Sequence, residues 1–360
     1  MMRTRSFWVV LSAAVAVALV LAGSQLLTRD RNVLPASEPS FGADRVTWAQ
    51  GSTIHYGDTT YDAGPEVVLR MLRTPYAFFL TLADSHRDGA DQRLVRFDGE
   101  ALTELPGDVD SVRVSPDGAH AGWVDFHGPL RPAGRIAEVV VVDLATGRTV
   151  FRDHEHMGGG FGDDLAARYG ELPPTFLGFD DDRYAYWFDS EGSGNRWRVD
   201  LATGEKEPAG PDPDSGEEFP PMVGDPYNPR TGPPVWLRRG RVVDAPGPRA
   251  ISGFLSPDGR FALRTGRTGL LPVTDAASGE RVDLDHGRRW IFFGGWQHGS
   301  TLYALVRSRF EFGYDPNAPD RTRGTLVSCH LPSGHCTDLA TVRGTWSLIF
   351  AHGEGPDDVL

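Results

Sequence analysis

A short pattern recurs along the chain: a β-rich run, a tight turn that contains glycine, and a second short run. Self-similarity at a mean spacing of about 47 residues, with room for four strands in each unit, predicts a β-propeller. The strong copies are RLVRFDGEALTEL (93–105), VVVVDLATGRTVF (139–151), RVDLATGEKE (198–207), PVTDAASGERVDL (272–284) and LVSCHLPSGHCTDL (326–339), and the weak copies occupy residues 45–57 and 235–245. The seven turn glycines are Gly51, Gly99, Gly147, Gly204, Gly240, Gly279 and Gly334.

A second repeated element precedes these hairpins. It consists of a short apolar strand, an acidic turn and another strand, and Pro116, Asp117 and Gly118 give its turn a clear mechanism. Proline presets φ, aspartate bonds its own backbone, and glycine supplies a positive φ. Clear copies are VRVSPDGAHAGWVDF (112–126), LGFDDDRYAYWFDS (177–190) and GFLSPDGRFALRTG (253–266), and weak ones lie at 67–83 and 291–306.

With its Ser-Pro-Asp-Gly turn and later Asp-Leu-Ala-Thr-Gly turn, the chain resembles the WD-repeat-like propellers of the TolB type. The resemblance covers residues 45–360; it is specific in residues 111–151 and 251–284 and degraded in residues 45–60 and 225–245. It implies a six- or seven-bladed propeller that acts mostly by binding other proteins or envelope components. It transfers no catalytic residues.

The fold class expected is therefore all-β, a propeller of seven blades, with six as the alternative because the unit around Gly240 is short. The segment TWSLIFAHG (345–353) has no following copy of its own. We expect it to join residues 45–57, so that both chain ends build one blade and no sheet edge stays open. The strand aromatics, Trp123 and Trp187 among them, are expected to pack between blades.

The N-terminus predicts a membrane or secretory segment. After a short basic stretch (1–6), residues 7–27 form an apolar run of the length that crosses a bilayer as a helix. The same pattern fits a signal sequence cleaved before Gly23. Residues 28–44 are polar, contain two prolines and are expected to be a flexible tether to the propeller at 45–360. The protein is thus expected to be anchored in a bacterial-type cell membrane by a single pass, with the propeller outside, or to be secreted if the segment is cleaved.

The charge balance excludes one class of partner. The net charge is −13, and because the first 31 residues carry +3, the remainder carries −16. Such a body is repelled by phosphate backbones, so nucleic acid is not expected as a partner. The single lysine, Lys206, lies between Glu205 and Glu207 and is expected to be a solvated surface charge.

Cys329 and Cys336, the two cysteines of the chain, flank the turn of one hairpin. Opposed cross-strand positions bring Cβ atoms close enough for a disulfide, which persists outside the reducing cytoplasm. The alternative is a pair of buried free thiols.

The two faces of the predicted propeller differ. In a four-stranded meander the first and third turns lie on one face, called here the turn face. The second turn and the link to the next blade lie on the other, called here the insertion face, which receives every long insertion: residues 84–92, 126–135, 153–174, 207–234 and 311–324. Long loops on a rigid scaffold tend to carry recognition.

The insertion face is therefore the expected binding site. Its candidate residues are His127, Arg131, Asp153, His154, His156, Asp163, Asp164, Tyr314, Asp315, Asp320, Arg321 and Arg323. The spacing of imidazole and carboxylate groups at 153–156 differs from a zinc helix, and residues 315–320 lack the glycine and terminal glutamate of a calcium loop, so solvated polar loops are favoured over a metal. No cofactor or catalytic residue is assigned.

Two functions remain open. The favoured one is a monomeric module that binds an unidentified protein or envelope component. The alternative is a glycan- or peptide-directed hydrolase or lyase that uses loop carboxylates and histidines, since propellers also host enzymes. Two carboxylates 5 to 10 Å apart in a deep central pocket would favour the enzyme.

Overall fold

The structure is a computed structural model of the 360-residue chain. It describes residues 34–38, 40–42, 45–85, 92–105, 112–115, 117–158, 165–180, 183–189, 196–209, 234–238, 241–243, 251–256, 258–264, 273–286, 290–307, 321–344 and 348–351. No helix within these ranges is long and apolar enough to cross a membrane. The predicted membrane or signal segment (7–27) lies outside them.

The described residues are almost entirely β-structure, in six antiparallel sheets that follow one another along the chain. Sheet 1 contains β1 (Thr47–Gln50), β2 (Thr53–Tyr56), β3 (Thr59–Asp62) and β28 (Leu348–Phe350), and sheet 2 contains β4 (Val67–Arg73), β5 (Phe78–Ala83), β6 (Arg93–Phe97) and β7 (Leu102–Glu104). Sheet 3 contains β8 (Arg113–Val114), β9 (His120–Asp125), β12 (Glu138–Asp143) and β13 (Thr149–Asp153), and a small separate hairpin is formed by β10 (Leu130–Arg131) and β11 (Gly134–Arg135).

The second half of the chain continues the series. A short helix α1 (Leu165–Glu171) precedes sheet 4, which contains β14 (Thr175–Asp180), β15 (Tyr184–Phe188), β16 (Arg196–Asp200) and β17 (Lys206–Pro208). Sheet 5 contains β18 (Pro234–Arg238), β19 (Arg241–Val243), β20 (Ile251–Leu255), β21 (Phe261–Arg264), β22 (Val273–Asp275) and β23 (Arg281–Val282). Sheet 6 contains β24 (Trp290–His298), β25 (Thr301–Arg307), β26 (Arg323–His330) and β27 (His335–Arg343).

All seven hairpins predicted from the sequence are present as antiparallel strand pairs. Strand β28, near the C-terminus, pairs with β1, with Trp48 opposite Phe350 and Gln50 opposite Leu348. Both chain ends thus contribute strands to sheet 1.

Apolar clusters between successive sheets show how the sheets are arranged. Separate buried clusters join sheets 1 and 2, sheets 2 and 3, sheets 3 and 4, and sheets 5 and 6. A fifth cluster, which includes Tyr303 and Phe350, joins sheet 6 back to sheet 1. Sheets that pack face to face in sequence order, with the last one returning to the first, are typical of a β-propeller. Among the described residues no such cluster joins sheets 4 and 5. Trp123 and Trp187 are buried in two of these clusters, as predicted.

The hairpin around Gly240 does not form a sheet of its own in the described residues. Strand β18 pairs with β20, so the six strands of sheet 5 combine two of the units that the sequence defines. The number of blades, seven or six, stays a prediction.

The repeated turns have the hydrogen bonds that their sequences predict. In the first turn of sheet 3, Ser115 Oγ donates to Asp117 and accepts from the His120 N–H at 2.9 Å, and Ser256, Asp258 and Phe261 repeat this arrangement in sheet 5. In the third turns, the carboxylates of Asp98, Asp143, Asp200 and Asp275 each accept backbone N–H bonds from the residues two or three positions later.

One turn was assigned to the wrong face. The turn at Gly51 joins the second and third strands of sheet 1, and its carbonyl accepts a hydrogen bond from Val68 N–H at the start of sheet 2. It therefore lies on the insertion face. The equivalent of the repeated third turn is at Gly57, which has a φ of 57° and whose N–H donates to Val46. The weak sequence copy was matched to the wrong turn of sheet 1 because β28, the first strand of this sheet, comes from the other end of the chain.

The segment expected to be a flexible tether (28–44) is described in part. Residues 34–38 and 40–42, called here the strap, lie across the turn face. Leu34 is buried between sheets 2 and 3, and Phe41 contacts the rings of Tyr56 and Phe78. Both apolar side chains fill gaps between neighbouring sheets. The polar, proline-rich sequence around them gave no indication of this packing.

The predicted disulfide is formed between Cys329 and Cys336, which lie directly opposite each other on β26 and β27 with their Cα atoms 4.0 Å apart. Asp285 holds the same hairpin from sheet 5, since its carboxylate accepts the Cys336 N–H at 2.6 Å and bonds His335 at 2.8 Å.

Candidate binding surface on the insertion face

Two of the long insertions are fastened to each other. Leu165 of α1 is buried beside Ala133, and its N–H donates to the Ala133 carbonyl at 3.2 Å. The Tyr169 hydroxyl accepts the Ala137 N–H at 2.8 Å and donates to the Met157 carbonyl at 2.6 Å. Burial raises the pKa of Tyr169 above its usual value. The Tyr169 ring also contacts the Phe126 ring at 5.5 Å between centroids, so Tyr169 connects the insertion at 153–174 with Phe126 and Ala137.

Lys206 connects this surface to the next sheet. Its ammonium donates to Asp153 at 2.6 Å and to Glu155 at 2.5 Å, and it lies 5.3 Å from the centroid of the Trp197 ring. Burial lowers the pKa of Lys206, but the bonds and charges of Asp153 and Glu155 outweigh it and raise the pKa overall. The Lys206 side chain is only 16% exposed, so the expected solvated surface charge is wrong. The strand position was read correctly, but the partners come from sheet 3.

His156 completes the connection. It has a φ of 66°, the one positive φ of a non-glycine residue in the described chain, and its ring stacks on Trp197 at 4.4 Å and 9°. The indole N–H of Trp197 donates to the buried carboxylate of Asp189 at 2.8 Å. A histidine held in the left-handed region by stacking shows that the loop at 153–158 has a defined conformation.

A second group of charged side chains lies at the ends of β9, β12 and β13 on the insertion face. Arg152 forms ion pairs with Glu138 and, at 3.9 Å, with Asp125, which lies directly opposite Glu138 on the neighbouring strand. Both carboxylates are buried, and burial raises the pKa of Asp125. His154 approaches Glu138 at 3.9 Å between ring nitrogen and carboxylate oxygen.

Five of the predicted residues lie in the described part of these two insertions. They are His127, Arg131, Asp153, His154 and His156. His127 and Arg131 are exposed, and the His127 N–H donates to Asp125 at 2.8 Å. Arg321 and Arg323 are exposed at the start of β26 in sheet 6, which is not a neighbour of sheet 3 in the ring. Asp163, Asp164, Tyr314, Asp315 and Asp320 lie outside the described residues.

Sequence reasoning missed the supporting residues Asp125, Glu138, Arg152, Trp197 and Lys206. Each lies on a strand whose pattern predicts only a sheet. The one available signal was Lys206 itself, a single lysine in a chain with 36 basic residues. Over the described residues, no group of three or more His, Cys, Asp or Glu side chains has the arrangement of a metal site.

No protein-family model matches the chain, and no curated protein matches it. Among solved structures it aligns with a puromycin-hydrolysing peptidase from Mycobacterium tuberculosis (20% identity, TM-score 0.31, 82% of this chain and 41% of that one), so it spans less than half of the peptidase. It also aligns with the β-propeller domain of the Trilobed protease from Pyrococcus furiosus (10% identity, TM-score 0.35, 78% and 98%). BamB from Moraxella catarrhalis aligns at 13% identity and a TM-score of 0.25, over 80% and 63%.

At these TM-scores the alignments carry no information on activity or partner. The propeller architecture of this chain rests on its own series of packed sheets, in which sheet 6 returns to sheet 1, and on the pairing of β28 with β1.

Proposed function

We propose that the protein is a membrane-anchored, extracytoplasmic β-propeller that binds a protein or a cell-envelope component through its insertion face. The observation that carries the proposal is the fastening of residues 126–135 and 153–158 by helix α1 and Lys206: α1 bonds Ala133 and Met157, and Lys206 bonds Asp153. Loops that are already ordered lose little conformational entropy when a partner binds. A surface of this kind is suited to recognition.

The charges of this surface do not by themselves select a partner. Its described carboxylates and cations are equal in number: Asp125, Glu138, Asp153, Glu155 and Glu171 against Arg131, Arg135, Arg152, Arg168 and Lys206. The body as a whole carries −16, which disfavours phosphate backbones, so we expect a protein or an envelope component and not a nucleic acid.

The second candidate is a hydrolase or lyase, and one observation favours it. Asp125 and Glu138 are buried carboxylates that share Arg152, and a carboxyl whose pKa is raised by burial is suited to proton donation. Asp125→Asn separates the two functions. An enzyme loses turnover on glycan or peptide substrates in this variant, whereas a binding module keeps its partner.

The experiment that tests the binding function is cross-linked capture from solubilised envelope with variants of the two faces. The insertion-face variant is His127→Ala/Arg131→Ala/His154→Ala, in which all three side chains are at least partly exposed, and a second variant is Arg321→Ala/Arg323→Ala. The turn-face control is Glu100→Ala/Glu205→Ala, also exposed. Exposed substitutions stay within about 0.5 kcal/mol each, so all variants should fold.

We expect capture to fall with the insertion-face variants and to persist with the control. Capture that survives both insertion-face variants and disappears with the turn-face control would show that the binding face was assigned wrongly.

A further inference from the structure

The strap fixes the N-terminal end of the described chain on the turn face. The Leu34 N–H donates to the Gly147 carbonyl at 3.4 Å and the Ser37 N–H donates to Ala145 at 3.0 Å, both in the third turn of sheet 3. The N–H groups of Ser40 and Phe41 donate to Pro75, in the first turn of sheet 2, at 2.8 and 3.0 Å. These partners all belong to turns of the same face.

The strap is also held by side chains. Arg96, which is fully buried, donates to the Ser37 hydroxyl, and the Phe41 ring lies within 3.2 Å of the position that a Cβ at Gly99 would occupy. Leu34 is 2% exposed. The C-terminal end of the ring lies nearby, since the Ala351 carbonyl accepts the Arg73 N–H at 3.0 Å. The chain therefore leaves the propeller toward its N-terminus from the turn face.

The length of chain between the strap and the predicted membrane segment is short. Leu27 and Leu34 are seven residues apart, and an extended chain covers at most about 3.6 Å per residue, so the two residues lie within about 25 Å of each other whatever the conformation between them. A globular domain of 100 residues has a radius of gyration of about 13 Å, which corresponds to a diameter of about 34 Å. Such a domain does not fit into this gap.

We infer that the propeller is held with its turn face toward the membrane and its insertion face pointing away, so that a folded partner reaches it only from the side distal to the bilayer. This inference rests on the membrane anchor of the proposed function and adds the orientation of its binding surface. The insertion face lies farther out by the height of the blades, whose longer strands, of six to nine residues, span about 20–30 Å.

The charges of the turn face favour a gap between this face and the bilayer. Its turns carry Asp98, Glu100, Asp143, Glu205 and Asp275, and such a surface is repelled by anionic lipid headgroups. The turn face is therefore expected to stay above the bilayer and not to lie flat on it.

Energy transfer from single labelled positions to the membrane tests the orientation. The full-length protein is reconstituted into phosphatidylcholine–phosphatidylglycerol vesicles that contain a headgroup-labelled acceptor lipid. The donor dye is attached to Glu100→Cys on the turn face or to Leu130→Cys on the insertion face, where Glu100 is exposed and Leu130 is 72% exposed. The native cysteines are joined in a disulfide and do not take the label.

We expect higher transfer efficiency from position 100 than from position 130 and no transfer from either label when residues 1–33 are deleted. Equal efficiencies, or higher efficiency from position 130, in protein that floats with the vesicles would overturn the orientation and leave the anchor intact. Full-length protein that does not float with the vesicles would overturn the anchor itself, and the orientation with it.

Discussion

The ammonium of Lys206 lies 2.6 Å from the carboxylate of Asp153, and this ion pair joins the outer strand of sheet 4 to the end of the outer strand of sheet 3. Ion pairs between exposed groups contribute little to stability. This one is different because the Asp153 and Lys206 side chains are only 20% and 16% exposed and because Glu155 and Trp197 surround the same ammonium.

Lys206→Met removes the charge and keeps most of the side-chain volume. We expect it to lower stability by about 1–2 kcal/mol, because Asp153 then loses its charged partner in a partly buried position. Partner capture should also fall in protein that remains folded, since the loop at 153–158 loses its connection to sheet 4. Chemical denaturation and capture of the same preparation measure the two effects.

The matched control is Arg281→Met, which removes an ion pair with Asp283 between side chains that are 71% and 88% exposed. It should change stability by less than about 1 kcal/mol and leave capture unchanged. Equal effects of the two substitutions would mean that Lys206 is an ordinary surface charge after all.

The sequence predicts the repeated units well because each turn has its own chemistry. Gly118 and Asp117, or Asp275 and Gly279, specify a turn from residues that are neighbours in the chain. The connection between Lys206 and Asp153 could not be predicted in this way, since 53 residues separate them and the ion pair exists only once sheets 3 and 4 pack together. The strap was also missed, because its contacts with sheets 2 and 3 join residues that are far apart in the sequence.

Acid should destabilise the third turns. At Asp275 the Ser278 N–H bond is the main cause that lowers the carboxyl pKa, with the Ala277 N–H adding to it. A carboxyl whose pKa is lower in the folded state stabilises the fold fully above its unfolded pKa of about 3.9, and the stabilisation is lost as pH falls through the folded pKa.

Asp275→Asn keeps the acceptor oxygen and removes the charge, so its melting temperature should fall less steeply between about pH 5 and pH 2 than that of the wild type. The control is Asp338→Asn, an exposed carboxyl on β27. Thermal melts across this pH range compare the three proteins. Parallel curves for Asp275→Asn and the wild type would show that the turn carboxylate does not contribute to the acid transition.

Reduction of the Cys329–Cys336 disulfide should lower the stability of the propeller by about 2–3 kcal/mol, the chain-entropy value for so short a loop. Denaturation with and without a phosphine reductant measures it, and peptide mapping without reduction should recover the cross-linked pair from the native compartment. Cys336→Ser should already be less stable and should not respond to the reductant. Recovery of two free thiols from freshly alkylated cells would instead indicate a reducing compartment.

Gly147 and Gly204 provide a direct measure of how firmly the strap is held. They occupy the same position in the third turns of sheets 3 and 4, with φ of 70° and 73°. A Cβ at Gly147 would lie 1.9 Å from the Leu34 carbonyl oxygen, whereas a Cβ at Gly204 would meet nothing within 4 Å. Alanine at either position incurs about 1–2 kcal/mol of left-handed strain, and only at Gly147 must the strap also move.

We therefore expect Gly147→Ala to lower stability more than Gly204→Ala and to make residues 34–42 sensitive to proteolysis. In protein that lacks residues 1–42 the two substitutions should have equal effects, because the strap is then absent from both. A larger effect of Gly147→Ala that persists in the truncated protein would place its cause within sheet 3 and not in the strap. Equal effects in the full-length chain would mean that the strap does not press on this turn, and the attachment of the chain to the turn face would lose its main support.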